Sequence, residues 1–352
     1  MTPSQTMYGV QLVGHGGPEK LIWNEQIPVP VPGTGEVLVR VLAAGVNNTD
    51  INTRIGWYAK AVSGATHDVG DVDVESGGWG GAVRFPRIQG GDLCGEVVSV
   101  DEGVSGIDTG MRVTCAINQP MPTPANPVYF EALGSERDGA FAEFCCVPVV
   151  QLYDVSDSPL SDIEIGAMPC AFGTALNLLV RAGVSGNDHV LITGASGGVG
   201  LAAVQLAHQR GAEVTAVSSA AKADAVRDAG AAQVIGRDES PPQESFSVVI
   251  DVVGGDAFGS LLDALRPGGR LATSGAIAGP VVKADLRTVY LKDLTVFGCT
   301  YQPPEVFAQL VALIREGAVR PLVAQTYPLR EIAKAQSDFT SKRYPGKLVL
   351  LP

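Results

Sequence analysis

Residues 189–200 read His-Val-Leu-Ile-Thr-Gly-Ala-Ser-Gly-Gly-Val-Gly, a short apolar strand running into a glycine-rich turn. An amphipathic helix follows at 201–210, closed by Gly211. This sequence constrains the fold more than any other, because such a turn lets a dinucleotide's pyrophosphate approach bare backbone. Gly197 removes a side chain where phosphates must come close, and Gly200 lets the helix pack tightly on the strand. The helix N-terminus offers unpaired N–H groups and the positive end of its dipole. Ala195 stands where the first glycine of G-x-G-x-x-G usually falls, and Gly198 and Val199 complete the turn. The strand before and the helix after carry the assignment more than the glycines alone.

Strand–helix alternation extends that unit. Strands are predicted at 190–193, 213–217 and 248–252, with helices at 201–210, 221–229 and 257–265; further strands fall at 270–274 and 295–299. A helix at 170–182 precedes them. This rhythm specifies a parallel, doubly wound sheet with right-handed crossovers, an α/β fold. The first 150 residues are different in style, with short alternating runs at 37–44, 92–100, 112–116 and 141–147 bounded by Gly and Pro. Beyond Pro304 a helix (305–316), a strand (322–327), a helix (329–339) and a last strand (347–351) look like a return to the first domain. With 352 residues, about two domains are expected.

The chain carries 25 Lys and Arg against 37 Asp and Glu, a net charge of −12, which argues against nucleic acid or an anionic membrane surface as partner. Its apolar runs are strand-length, too short to span a bilayer. Residues 1–10 are polar and lack a signal-peptide core, so a cytoplasmic setting is expected. The six cysteines are scattered without a C-x-x-C pair, which fits reduced, buried thiols. Residues 63–81 form a glycine-rich acidic stretch flanked by Trp57, Tyr58 and Trp79, either a solvated insertion or a lid.

The segments Gly35–Arg40, Gly45-Val46-Asn47-Asn48-Thr49-Asp50, Gly90–Val97, Gly110–Val113, Gly139–Phe144 and Gly346–Leu350, together with the glycine turn, resemble the medium-chain dehydrogenase/reductase superfamily. Within it, the chain is similar to the zinc-free quinone oxidoreductase branch. The resemblance implies a GroES-like β domain (1–152 and 321–352) plus an inserted Rossmann nucleotide-binding domain (153–320), and a homodimer joined through edge strands of the Rossmann sheets. Zinc-dependent relatives hold a catalytic metal on Cys, His and Cys. Here the first position holds Asn47, the second Gly91 and the third Cys170, and closely spaced cysteines for a structural zinc are missing. One thiol cannot fix Zn²⁺, which needs three protein ligands and an open site. No metal is expected, and Cys170 reads as a packed relic.

Zinc lowers the pKa of bound water from about 15.7 to about 7. At roughly 1.36 kcal/mol per unit, losing an effect of that size removes on the order of 12 kcal/mol of help in ionising an alcohol. A quinone, enone or enoyl thioester needs far less, because its electrophilic carbon already accepts hydride and a hydrogen-bond donor can stabilise the enolate. Reduction of a conjugated acceptor is therefore expected ahead of alcohol oxidation. An enoyl-thioester reductase is the alternative, then a zinc-free alcohol dehydrogenase or a non-catalytic NADPH-binding protein; fold alone does not choose among them.

NAD-preferring sites usually place a carboxylate at the end of the second strand, yet 214–223 contains none. Ser218 and Ser219 offer hydroxyls and Lys222 a charge suited to a 2′-phosphate, so NADPH is expected. The resemblance places Thr174 against the nicotinamide. Gly254 and Ser274, in loops after strand ends, are expected to line the cofactor. It also aligns Tyr58 with a tyrosine proposed to act as proton or hydrogen-bond donor, and leaves Asn47 to hold the nicotinamide ribose or a water. Tyrosine suits the role, being neutral at pH 7, a donor, and flat.

Overall fold

A computed structural model describes residues 6–67, 77–79, 81–101 and 103–352. Of the 63–81 insertion, residues 68–76 and 80 lie outside the described residues. The chain divides into two units, one comprising Met1–Val62, Val69–Cys170 and Pro303–Pro352, the other Ser63–Asp68 and Ala171–Gln302.

The first unit is largely antiparallel β with few helices; only Val323–Pro328 and Lys347–Leu351 pair in parallel among its described strands. Its largest sheet runs in the order Leu152–Asp154, Arg112–Cys115, Cys94–Val100, Glu36–Gly45, Lys347–Leu351, Val323–Pro328, and Phe144–Pro148 also pairs with Glu36–Gly45. The central strand Glu36–Gly45 is buried over most of its length, and Val37, Leu38, Val39 and Leu350 share one core with Leu93 and Phe141. The final strand runs antiparallel to Glu36–Gly45 with Val349 opposite Gly45 and Leu350 opposite Ala44. Continuing that register brings Lys347 level with Asn47.

The sequence-based strand at 141–147 is shorter as a ladder, Phe144–Pro148. The N–H groups of Ala140 and Phe141 donate instead to the carbonyls of Gly90 and Gln89. Residues 153–170 and 303–320, expected with the nucleotide domain, group with the first unit. The contacts explain it. Ser158 Oγ donates to the Ile314 carbonyl at 2.6 Å, Tyr153 packs on Phe307 at 5.3 Å between ring centroids, and Arg315 pairs with Asp157. These hold the Pro304–Glu316 helix to the β unit.

In the second unit all six strands are parallel, in the order Gln233–Ile235, Glu213–Val217, His189–Ile192, Phe246–Asp251, Leu265–Thr273, Thr295–Gly298. The direction of winding reverses beside His189–Ile192, the switch point at which open sheets of this kind bind ligands. Phe246–Asp251 is buried along its whole length, as a central parallel strand must be. No helix among the described residues is long and apolar enough to cross a membrane.

Candidate active site

In the first unit, the site begins at the helix Asn48–Ile55. Its sequence, NTDINTRI, contains poor helix formers, so its ends do much of the stabilising. Asn47 is the N-cap, and Asp50 reaches back to accept its N–H at 2.8 Å. At the other end Gly56 adopts φ 72°, a left-handed conformation that suits glycine, and turns the chain toward Trp57 and Tyr58.

A buried polar network surrounds Asn47. Its Nδ2 donates to Asp92 Oδ2 at 2.9 Å and to the Gly45 carbonyl at 3.3 Å. Lys347 Nζ donates to Asn47 Oδ1, to the Val46 carbonyl at 3.0 Å and to Asp92 Oδ2 at 2.9 Å, which uses all three ammonium protons. Asp92 Oδ1 accepts the Cys170 N–H at 2.6 Å. The Lys347 and Asp92 side chains are only 3% and 0% exposed, so this ion pair survives burial by being fully hydrogen-bonded. Its negative partner and burial push the Cys170 thiol up to about 12, burial contributing most. Asp50 is lifted to about 7, again chiefly by burial.

The residues at the family's metal positions do not fit zinc. Asn47 has both amide hydrogens and its oxygen committed to the network, with a lysine ammonium as neighbour. At Gly91 even a Cβ would lie 2.1 Å from Ile117 Cδ1, so the floor is filled by an apolar side chain where a histidine would need to project. Cys170 is a buried neutral thiol. Among the described residues no three His, Cys, Asp or Glu side chains are grouped to hold a metal. His67, in the 63–81 stretch, is exposed.

Tyr58 is half-buried. Burial of its hydroxyl end raises the phenol pKa above its usual value; the facing Asn52 side chain opposes the rise, and Cys170, Asp50 and Glu136 add to it. The phenol thus stays protonated at any physiological pH, a donor rather than a base. Those neighbours also tie Tyr58 to Cys170 and Asp50, so the predicted pair Asn47 and Tyr58 belong to one cluster.

The second unit gathers the predicted cofactor residues at the C-terminal ends of adjacent strands. Gly197 is the N-cap of the Gly198–Gln209 helix; a Cβ there would meet the Gly194 carbonyl oxygen at 3.5 Å, so the turn stays open. At Gly200 a Cβ would lie 2.2 Å from that oxygen and 2.6 Å from Ala195 Cα, so glycine is required for the helix to approach the strand. Ala195 N–H donates to the Val217 carbonyl, joining the turn to the next strand end. There Ser218 is buried, and its Oγ has no hydrogen-bond partner among the described residues; Ser274 Oγ is in the same state. Ser219 caps the short turn Ala220–Lys222. Lys222 is held below its ordinary pKa by burial and by the repulsion of Arg237. Arg237 was not anticipated: it follows the Gln233–Ile235 strand, and only the sheet order brings it near Lys222. Gly254 takes φ 63°, and its turn is tied by Asp251, which also accepts Thr193 Oγ1 at 2.6 Å. Thr174 lies on the Pro169–Arg181 helix. Two partnerless buried hydroxyls, an open turn and a pair of cations make a set that a phosphorylated dinucleotide would satisfy.

Asp92, Lys347 and Asn52 were not predicted as site residues. Asp92 sits in a Gly-Gly-Asp segment quoted only for resemblance, and Lys347 opens the last strand, 255 positions later. No local pattern marks that pairing.

The chain belongs to the medium-chain dehydrogenase/reductase superfamily, a class of oxidoreductases that bind a nicotinamide cofactor. Residues 33–157 match the alcohol dehydrogenase GroES-like domain and residues 198–316 the family described as zinc-binding dehydrogenase. Among curated relatives, an acryloyl-coenzyme A reductase of Metallosphaera sedula is 31% identical, over 92% of this chain and 95% of its own. The quinone oxidoreductase of Mus musculus is 27% identical, with 99% of each chain covered. Among solved structures, a protein of Sinorhizobium meliloti 1021 provisionally described as an alcohol dehydrogenase is 40% identical, with a TM-score of 0.88 and 100% and 98% of the two chains covered.

Proposed function

We propose that this protein is an NADPH-dependent reductase of quinones or of the C=C bond of α,β-unsaturated carbonyl compounds, working without a metal. One observation carries the reading: the place of the family's metal ligands is taken by an amide engaged by the Lys347 ammonium, a bare glycine backed by Ile117 and a buried thiol. With no Lewis acid to ionise an alcohol, the accessible chemistry is hydride acceptance by a carbon that conjugation has already made electrophilic.

Bound NADPH supplies the hydride. The electron pair displaced from the C=C bond moves onto the substrate's carbonyl oxygen, where the Tyr58 phenol donates a hydrogen bond; Tyr58 or water then delivers the proton. Asn47, whose amide is fully engaged, fixes the floor of the site beside Tyr58 and does not itself reach the substrate. In the second unit, Ala195, Gly197, Gly198, Val199 and Gly200 are proposed to receive the pyrophosphate. Ser218, Ser219, Lys222 and Arg237 are proposed for the 2′-phosphate, with Thr174, Gly254 and Ser274 lining the remainder. A homodimer is also proposed, since the terminal strand Thr295–Gly298 and the neighbouring Leu286–Leu291 helix expose Leu286, Tyr290, Leu291 and Val296.

A second reading, reduction of an enoyl thioester, is favoured by the 31% identity to an acryloyl-coenzyme A reductase, and the net charge of −12 weighs against so anionic a substrate. Following NADPH absorbance with a quinone, an enone, an enoyl-CoA and a simple alcohol separates these readings. Quinone or enone turnover is expected, and Tyr58→Phe should lower kcat/KM for the enone at least about tenfold, ~1.4 kcal/mol. An unchanged kcat/KM would reduce Tyr58 to a packing residue, and turnover confined to the enoyl-CoA would favour the second reading.

A further inference from the structure

The acidic insertion returns to the site with an aromatic side chain. Trp79 lies parallel to Tyr58, 9° between planes and 6.2 Å between centroids, and meets Phe130 edge-on at 5.6 Å. Trp57 meets Tyr58 edge-on at 5.5 Å. These separations fall in the range of attractive aromatic pairs. All four residues are partly exposed, so the row is not sealed inside the core. At one end the Tyr58 hydroxyl faces Asn52, Cys170 and Asp50. At the other end Phe130 opens the short strand Phe130–Ala132, next to Val128 and Tyr129, which are 55% and 39% exposed.

Trp79 is held in the row by backbone packing. A Cβ on Gly77 would come 2.5 Å from Gly56 Cα and 2.8 Å from the His15 ring, so glycine is what lets the returning chain press onto the end of the Asn48–Ile55 helix. His15 is fixed in turn by its Nδ1, 2.9 Å from the Thr53 carbonyl oxygen. The Gly78 N–H donates to the Gly81 carbonyl at 2.8 Å and closes the turn around Trp79.

We infer that Trp79 is a specificity-determining residue, giving the protein a preference for flat, aryl-fused conjugated acceptors over aliphatic ones of similar reactivity. The inference rests on the reductase reading above. An indole presents an electron-rich face to an electron-poor quinone ring, and Trp79 is stacked directly on Tyr58, the proposed hydrogen-bond donor to the substrate carbonyl.

The test compares 1,4-naphthoquinone with 2-cyclohexenone in wild type, Trp79→Ala, Trp79→Phe and Gly77→Ala. The readout is the ratio of kcat/KM for the two acceptors, which does not depend on the fraction of active enzyme. Trp79→Ala should lower the naphthoquinone-to-cyclohexenone ratio about tenfold, mainly through the naphthoquinone KM. Trp79→Phe should restore most of it. Gly77→Ala, which keeps the indole but displaces it, should behave like Trp79→Ala. An unchanged ratio, or an equal loss on both acceptors, would overturn the inference. Calorimetric binding of naphthoquinone without NADPH separates this from the functional reading. If wild type turns over neither acceptor, the reductase reading fails, and tenfold weaker binding to Trp79→Ala still supports recognition by Trp79. Absence of binding to wild type overturns both.

Discussion

Asp50 shows how far a single side chain is bent by this site. Its carboxyl is lifted from an ordinary value of 3.8 to about 7, first by burial and further by the charge of Asp92, against the stabilising Asn47 N–H and Lys347 ammonium. Between those two values the folded chain holds a proton that the unfolded chain releases, so stability falls as pH rises through this window. Asp50→Asn cannot ionise yet still offers an oxygen to the Asn47 N–H. It should gain on wild type by about 2–3 kcal/mol between pH 5 and pH 8. Urea unfolding at the two pH values checks this; a constant difference would mean that the carboxyl titrates in its ordinary range. The residue scale is also where sequence reading reached least far. Asn47 and Tyr58 share the contiguous segment 47–58, so a sequence motif can nominate them for the proposed site. The cation that engages Asn47 was not legible, because only strand register brings Lys347 level with it.

At the scale of elements, most of the parallel strands and their helices were legible to within a few residues, since fully buried strands and amphipathic helices write strong periodic patterns. The short edge strand Gln233–Ile235 and the helix Leu286–Leu291 were not, and Leu265–Thr273 begins well before the predicted 270. The strand Glu213–Val217 and the strand Lys347–Leu351 fall where the sequence puts them. The Asn48–Ile55 helix went unpredicted because its composition opposes a helix and its stability comes from caps and burial. The hairpin Thr6–Leu12 with Leu21–Pro28 was also unread; the second strand alternates poorly, with charged and apolar side chains both partly exposed. The proposed NADPH preference rests on the end of Glu213–Val217. Lys222 and Arg237 approach one another there despite their repulsion, beside the partnerless Ser218 hydroxyl. A charge-assisted contact is worth about 1.5–3 kcal/mol. Lys222→Ala should therefore raise the KM for NADPH roughly tenfold or more and leave that for NADH nearly unmoved. Steady-state kinetics with both nucleotides decides, and equal effects on the two would contradict a 2′-phosphate site.

For the whole molecule, one unit is built from both chain ends and Ala171–Gln302 makes up most of the other. The Pro304–Glu316 helix has an amphipathic pattern that either unit could bury, so its grouping with the β unit has no signal in the sequence. The exposed edge strand Thr295–Gly298 would invite pairing, and its apolar neighbours suit a second copy of the chain. Light scattering should give twice the 36.5 kDa chain mass, and Val296→Lys should shift it toward one chain. A wild-type protein of single-chain mass would contradict the dimer. The proposal that the site works without a metal is tested most directly by NADPH oxidation with an enone after exhaustive chelation and dialysis. Undiminished turnover, unaltered by added Zn²⁺, is expected if the Lys347–Asp92 pair fills the place of the metal. Loss of turnover on chelation, with recovery on adding Zn²⁺, would contradict it.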